Sequence, residues 1–430
     1  MPIIKKEKIS LSSLLNYGFL AVPLAFAGFP LYVLAPDFYV TKYAIKLSTL
    51  GVVLLALRLF DAIQDPLIGI ISDRYRSYTI FIMLISAITL VLSIYSLFNL
   101  SSFSPLIWFI VCMSFAVTSY SILAINLNAL GALWTKEGKE QSTISATREG
   151  FGLIGLVLAV SLPNLLAQVV LNDQVYQWFG LTLAILMVLA FWKFFRWYNL
   201  NGKKLNKKVQ FSFQHSIKTF SVESKKLVLI YIISMVASSI PAVLVIFFVR
   251  DLLKAEMYLG LFLLLYFLSG VCFIPFWNFM SKKYGKYQSW FIAMLVASCS
   301  FIWAFLLKEG DLWQYIVVCI TSGSALGADL LFPPAILADQ LHAAKAEGSA
   351  STYYGVLTLT SKVSLALASA LSFPILEIMG FIPAGKNSEN SLMGLSISYA
   401  LVPCIIKIGS AFLLWYIFIK AGKGKFHENN

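Results

Sequence analysis

The chain reads as long apolar runs separated by short polar punctuation. The runs fall at 11–35, 43–72, 79–99, 105–134, 149–171, 176–197, 226–250, 257–280, 288–308, 313–338, 350–380 and 393–420. An α-helix needs about 20 apolar residues to cross a hydrocarbon core of about 30 Å, and every run is of that order. The pattern predicts an all-α membrane protein with twelve transmembrane helices. The longest polar stretch, "NLNGKKLNKKVQFSFQHSIKTFSVESKK", lies between the sixth and seventh runs. It divides the chain into a six-helix bundle over 1–197, a basic linker over 198–225 and a second six-helix bundle over 226–430. The basic start "MPIIKKEK" precedes a long run without a small-residue cleavage site, so it reads as a retained span and not a signal peptide.

Composition supports the bilayer. The chain is 59% hydrophobic and 12% charged, whereas soluble domains are about 45–50% apolar and about 25% charged. A soluble enzyme, a disordered chain and a fibre are all excluded. The net charge of +13 would raise the question of nucleic acid in a soluble protein. Here topology accounts for it, and no nucleic acid is expected. Of the 33 Lys and Arg, 24 fall on the side of the membrane that carries both termini and the linker, and 6 on the other. The positive-inside rule therefore places the termini in the cytoplasm of a multi-pass inner or plasma membrane protein. The remaining three, Arg58, Lys362 and Lys407, lie inside spans.

Enzyme chemistry is not indicated. The five cysteines sit in apolar runs with no CxxC spacing, and the three histidines form no ligand pair. No nucleophile–base pair or Gly-rich phosphate loop is visible. No cofactor is expected, and without an ATP-binding motif the energy must come from a gradient.

An internal repeat is present. "DPLIGIISDRYRSYTIFIML" from Asp65 aligns with "IPFWNFMSKKYGKYQSWFIAML" from Ile274 at an offset of 209, which places Pro66 on Pro275, Ser72 on Ser281, Arg74 on Lys283 and Tyr75 on Tyr284. Parallel six-helix repeats build the major facilitator fold. The segment "GIISDRYR", with Asp73 and Arg74, resembles that superfamily's loop signature after the second helix, one basic residue short. These two residues are expected to serve gating or structure.

Charge inside the membrane costs at least about 2.5–3.5 kcal/mol per residue, so each case asks for a reason. The second run carries "RLFDAIQDP". Asp61 and Asp65 are one helical turn apart and share a face. Two such carboxylates repel unless one binds a proton or a cation sits between them. Converging carboxylate oxygens suit a small hard cation, so Asp61 and Asp65 are the candidate Na⁺ ligands, with Gln64, Ser119 or Ser121 as neutral donors. Pro66 frees the carbonyl of Ala62 as another. The alternative is an Arg58–Asp61 pair that only locks helices, with Asp65 at a kink. Against it, the repeat places Gly270 and Ile274 opposite the two acids. A scaffold feature is expected in both halves, whereas a coupling site is needed once.

Lys362, mid-span in "LTLTSKVSLALA", requires a carboxylate partner, with Asp61 and Asp65 as candidates and Asp329 of "GSALGADLLFPP" as a third. Asp339 lies at the end of the tenth run, where a capping or loop role is expected. Arg148 is read as opening the fifth helix, either as an edge arginine or as a solute contact. Lys407 is given no role beyond snorkelling or pairing.

Four segments in order resemble the glycoside–pentoside–hexuronide:cation symporters of the major facilitator superfamily. They are "RLFDAIQDPLIG", "EQSTISATREGFGLIG", "LGADLLFPPAILADQ" and "YYGVLTLTSKVSLAL". The resemblance implies that Asp61 and Asp65 form the cation site, that Lys362 lies near it and that Arg148 lies near the sugar. The chain departs where the family's galactoside carriers keep sugar-binding charge: Leu24, Ala25 and Leu123 stand there, and Gln64 replaces an Asn of the cation site. Melibiose is therefore expected to be a poor solute, because polar specificity comes from hydrogen bonds an apolar wall cannot make. Arg148 and Asp329 are the first candidates for gripping the true one.

The leading expectation is cation-coupled symport, with Na⁺ or H⁺, of a sugar-like or other small polar solute, by a monomer with alternating access. The alternatives are a lysolipid, lipid or amino-acid-like solute carrier of the same fold, and a non-transporting membrane receptor or assembly protein.

Overall fold

A computed structural model describes residues 9–29, 31, 34–43, 45, 47–99, 104–166, 174–205, 220–383 and 385–420. Half of the expected linker, 206–219, lies outside the described residues, as do the basic residues Lys5, Lys6, Lys8, Lys423 and Lys425. The described residues are helical throughout, joined by short turns. Among the described residues, eleven helical stretches are long and apolar enough to cross a membrane.

The first run is broken into α1 (Leu11–Gly18) and α2 (Ala21–Phe29). Pro23 has no N–H to bond the carbonyl of Phe19, so the ladder is interrupted there. A short α3 (Ala35–Tyr43) leads to α4 (Leu47–Arg74). Next come α5 (Thr79–Phe98), α6 (Pro105–Trp134), α7 (Gly138–Leu166) and α8 (Val175–Leu205). After the linker come α9 (Val222–Phe247), α10 (Leu259–Tyr284), α11 (Lys286–Phe301), α12 (Leu312–Ala343) and α13 (Ala350–Ile378). The last run is α14 (Glu389–Ser396) and α15 (Val402–Leu414), joined by a π-helical segment, Ile397–Leu401.

Among the described residues, the long helix missing from the eleven is α4. It is 28 residues long, about 42 Å at 1.5 Å per residue, but its middle carries Arg58, Asp61 and Asp65. One face is nonetheless a continuous exposed apolar stripe of Leu55, Leu59, Ile63, Leu67 and Ile71, every fourth residue over four turns. Such a stripe needs lipid to cover it. The opposite face buries Asp61, Gln64, Asp65, Ile68 and Ser72.

The 209-residue repeat is visible as geometry. Pro66 lies inside α4, which ends at Arg74, and Pro275 lies inside α10, which ends at Tyr284. The counterparts of the acids carry no charge: Ile274 packs in an apolar cluster, and Gly270 lies near Leu153 and Gly323. Among the described residues, three hydrophobic clusters hold the helices. One is drawn from Leu14 to Trp197 and another from Val236 to Ala400. The third, from Ile68 to Leu414, joins side chains of both halves.

The largest departure from the apolar pattern is α7, which begins at Gly138, eleven residues before the expected 149. The polar string "GKEQSTISATR" is helical and turns Gln141, Ser142, Ser145 and Arg148 inward. Arg148 therefore does not open the helix. It stands almost three turns inside, because polar residues that face a protein interior leave no hydropathy signal.

Candidate functional site

Two helices position the charged centre. α4 and α13 run antiparallel at close range, and two glycines permit it. A Cβ on Gly69 would lie 2.5 Å from the carbonyl oxygen of Ser351, and one on Gly355 would lie 2.6 Å from that of Asp65. Lys362 is two turns beyond Gly355 on the same face, and its side chain leans back toward the helix N-terminus, as helical side chains do. It thus reaches the acids.

The Lys362 ammonium lies 2.7 Å from Asp61 Oδ1 and 2.8 Å from Asp65 Oδ1. It also donates to Ser121 Oγ at 2.9 Å and the Asp61 carbonyl at 3.1 Å. Ser121 Oγ and Gln64 Nε2 both donate to Asp61 Oδ1, at 3.2 and 3.1 Å, and Thr118 Oγ1 donates to Gln64 Oε1 at 2.8 Å. Asp65 is fully buried. Its Oδ2, 2.8 Å from Lys362 Nζ, accepts no directed hydrogen bond. Two carboxylates and one ammonium give the cluster a formal charge of −1 in a poor dielectric, which leaves room for one more positive charge. Among the described residues no group of three or more His, Cys, Asp or Glu could hold a metal ion. A cation here would have two carboxylates and the neutral oxygens of Ser121, Gln64 and the Asp61 carbonyl. That set suits a monovalent ion or a proton. Arg58 lies on the exposed side of α4.

Asp329 is not part of this cluster. Its carboxylate pairs with Lys407 and accepts from Trp290 Nε1 at 3.0 Å and from Ser238 Oγ at 3.3 Å. Lys407 also donates to Ser238 Oγ at 2.8 Å. Both charged side chains are buried. This second pair links α9, α11, α12 and α15, and among the described residues it draws no hydrogen bond or ion pair from α1–α8. The Lys407 ammonium, not Lys362, is the partner of Asp329.

Arg148 lies against its own neighbour. Its Nε and Nη2 donate to Glu149 Oε1 at 3.0 and 2.5 Å. The positions Leu24 and Leu123 are buried in the first apolar cluster. They serve the packing of that half and offer nothing to a hydroxyl.

At the end of the helices where α4 stops, Asp73 caps a helix of the other half. Its carboxylate accepts from the backbone N–H of Ser351 at 2.9 Å and of Thr352 at 2.7 Å, and from Thr352 Oγ1 at 2.7 Å. These are first-turn donors of α13, unsatisfied within the helix and at the positive end of its dipole. Arg76 Nη1 donates to the Glu347 carbonyl at 2.8 Å, and Lys136 pairs with the Glu347 carboxylate at 2.6 Å. His342 Nε2 lies 2.6 Å from the Ala132 carbonyl. Arg74 instead lies exposed over the ring of Tyr75. Asp339 pairs with Lys286 at 2.6 Å, within the second half.

Arg76, Glu347, Lys136, Glu149, Thr118 and Trp290 were not anticipated from the sequence. The first three sit in charged turns, where any residue looks like solvent-facing charge. The others needed a partner helix to be recognised.

A sequence profile of the MFS/sugar transport protein family matches residues 15–421. The chain belongs to that family. A glucuronide carrier protein homolog of Escherichia coli (strain K12) is 23% identical, over 95% of this chain and 93% of its own. An isoprimeverose transporter of Lactiplantibacillus pentosus is 23% identical, over 88% and 83%. An uncharacterised symporter of Bacillus subtilis (strain 168) is 22% identical, over 96% and 93%. Among solved structures, a bacterial homologue of the iron transporter ferroportin in an outward-facing state superposes with a TM-score of 0.69 at 15% identity, covering 94% of this chain and all of that one. The Escherichia coli fucose:proton symporter gives 0.62 at 12% identity, covering 93% and 97%. The family and these relatives make this MFS chain a multi-pass membrane transporter and not an enzyme, and the resemblance drawn from its four motifs holds at the level of the symporter family.

Proposed function

We propose that this MFS protein is a cation-coupled symporter of a sugar-like solute. The observation that carries the reading is Lys362 lying between Asp61 and Asp65, with one negative charge left over. In this reading Lys362 is a tethered stand-in for the coupling ion. When Na⁺ or H⁺ arrives, it supplies the missing positive charge and brings the cluster to neutrality, and the ammonium shifts to share the acids with it. The helices that carry the two sides of the pair, α4 and α13, belong to different halves of the chain, so loading the ion alters the contact between them.

The halves, 1–197 and 226–430, act as two six-helix bundles that rock about this centre, with α4 as the twelfth crossing. Each binds its own apolar cluster internally, which favours motion as units. The contacts of Asp73, Arg76, Lys136 and Glu347 close one end of the path, which the distribution of basic residues places at the cytoplasm. A monomer suffices, since both halves of the centre come from one chain.

The test is gradient-driven uptake in proteoliposomes. Asp61→Asn and Asp65→Asn should each abolish accumulation driven by Na⁺ or H⁺ while leaving solute exchange measurable. Wild-type accumulation ratios in both variants would remove the acids from coupling.

A further inference from the structure

His342 lies in the last turn of α12, and its ring reaches across the closed end to the first half. Nε2 is 2.6 Å from the carbonyl oxygen of Ala132 on α6. A carbonyl can only accept, so Nε2 carries a proton and donates. Nδ1 is 3.4 Å from Glu347 Oε1. In a neutral ring that nitrogen would present a bare lone pair to a carboxylate. A second proton turns the same contact into a charge-assisted hydrogen bond. The side chain is 8% exposed, so water does little to relieve the unprotonated arrangement. Two helix ends add to the preference. His342 closes α12 and Ala132 lies in the last turn of α6, and unpaired carbonyls at helix C-termini favour a cation. The 209-residue repeat places Leu133 opposite His342, so the counterpart position is apolar.

The charged groups around the ring come from several elements. Lys136, after α6, shares Glu347 Oε1 at 2.6 Å but is 76% exposed, where water and salt screen it. Arg76, after α4, donates to the Glu347 carbonyl, and Asp73 is committed to the N–H groups of α13. Asp339, one turn back on α12, pairs with Lys286, and Lys345 is exposed. From α7, Glu140 is bonded to Thr135, and Gln141 donates to the same Ala132 carbonyl at 2.6 Å.

We propose that His342 is a proton-operated latch: protonated, it ties α12 to the end of α6 and holds the cytoplasmic mouth shut, and neutral, it lets the halves part. This rests on the rocking of the halves proposed above and on neither the solute nor the coupling ion. The sign follows from what opening removes. Glu347 travels with His342, whereas the Ala132 carbonyl and the end of α6 leave with the first half. A charged donor makes a hydrogen bond about twice as strong as a neutral one, so the protonated ring loses more on opening. Burial of the ring and the like charge of Lys136 oppose this. The carbonyl in direct contact and the α6 terminus outweigh them, because both lie against the buried ring while Lys136 stands in water. The proton therefore binds the closed form more tightly, and acid shifts the population toward closure. Imidazole is the side chain that ordinarily changes charge between about pH 5 and 8. An acidifying cytoplasm would thus slow delivery of solute, and a carrier that imports protons would limit itself.

The experiment is a spin-label distance measurement on the full chain in lipid nanodiscs, with no solute and no Na⁺. The labels sit on Asn199→Cys of α8 and Lys282→Cys of α10, both exposed positions, with the exposed Cys272 and Cys299 replaced by alanine. The expected result is a closed-to-open ratio that rises about fivefold or more between pH 8 and pH 5.5. Asp73→Asn, which weakens the same end, supplies an open population if the parent chain is wholly closed. His342→Gln keeps a donor for Ala132 but cannot titrate, and should remove most of the response. Glu347→Gln should shrink it, and decides the matter if His342→Gln does not fold. The response should survive Asp61→Asn with Asp65→Asn, which separates it from titration of the acid pair. Opening on acidification, no pH response in either the parent or Asp73→Asn, or a full response in folded His342→Gln would each overturn the latch. A single distance in every variant at both pH values would overturn the rocking of the halves and the latch with it, whereas two distances without a response that depends on His342 would overturn the latch alone.

Discussion

Gly355 on α13 backs directly onto the carbonyl of Asp65 on α4, and this contact sets the reach of Lys362. The ammonium can lie between two acids only because the two helix backbones nearly touch one and a half to two turns away. The charge site and the packing seam are parts of one arrangement.

Gly355→Ala should therefore act on coupling at a distance. The added Cβ would meet backbone, which cannot rotate aside, so α4 and α13 must separate. Overpacking of this kind costs about 1–3 kcal/mol. A lowered melting temperature, with cation-driven accumulation falling more than solute binding, is the expected pair of results. Wild-type values for both would show that the seam is slack.

Lys362→Ala leaves two buried acids without their cation. Breaking a buried ion pair by removing one partner costs about 3–5 kcal/mol. Lys362→Ala with Asp61→Asn should be less harmful than the sum of the single changes, with a coupling energy above about 1 kcal/mol in a double-mutant cycle. Additive losses would separate the two residues energetically.

Asp73→Asn tests the closed end. The carboxylate satisfies two backbone donors of α13, and the amide can replace at most part of that with no charge to meet the helix dipole. A loss of about 1–2 kcal/mol is expected. The closed arrangement should also be populated less, read as faster labelling by a water-soluble thiol reagent of a cysteine introduced at Ser351. Equal labelling rates with and without Asp73 would mean that the cap does not hold this end shut.

For the second buried pair, Lys407→Met alone should destabilise the protein by about 3–5 kcal/mol, whereas Asp329→Leu with Lys407→Met should recover most of it, since an apolar replacement of a whole pair is often neutral. The double variant should also keep ion-driven accumulation, because neither residue touches the Asp61–Asp65 cluster. Loss of coupling in a stable double variant would assign this pair a part in transport.

Most of the helices were legible in the sequence to within a few residues, with the start of α7 and the end of α8 the main exceptions. Runs such as 105–134 match α6 end for end, because lipid exposure demands unbroken apolarity. Asp61, Asp65 and Lys362 were legible for the opposite reason: charge in an apolar helix is conspicuous, and three such residues invite one another. Arg148 was placed wrongly because the polar first turns of α7 face protein instead of water, so hydropathy ended the helix too early. Asp329 and Lys407 each stood out, yet nothing local says that residues 78 positions apart are partners. The capping by Asp73 was invisible, because it is addressed to backbone groups that every helix start shares.

The same separation matters for how the protein is made. The acid of α12 enters the bilayer before its base on α15 has been synthesised, and 78 residues at about 5–20 residues per second is a wait of roughly 4–16 s. During that interval the acid of α12 has only the hydrogen bonds of Trp290 and Ser238 and no counter-charge, and α12 stays a weakly anchored segment that the insertion machinery or a proton must shelter. The last helix is the clasp that completes the second half. A nascent chain stopped short of Lys407 would present cellular quality control with an unneutralised acid in an otherwise apolar helix.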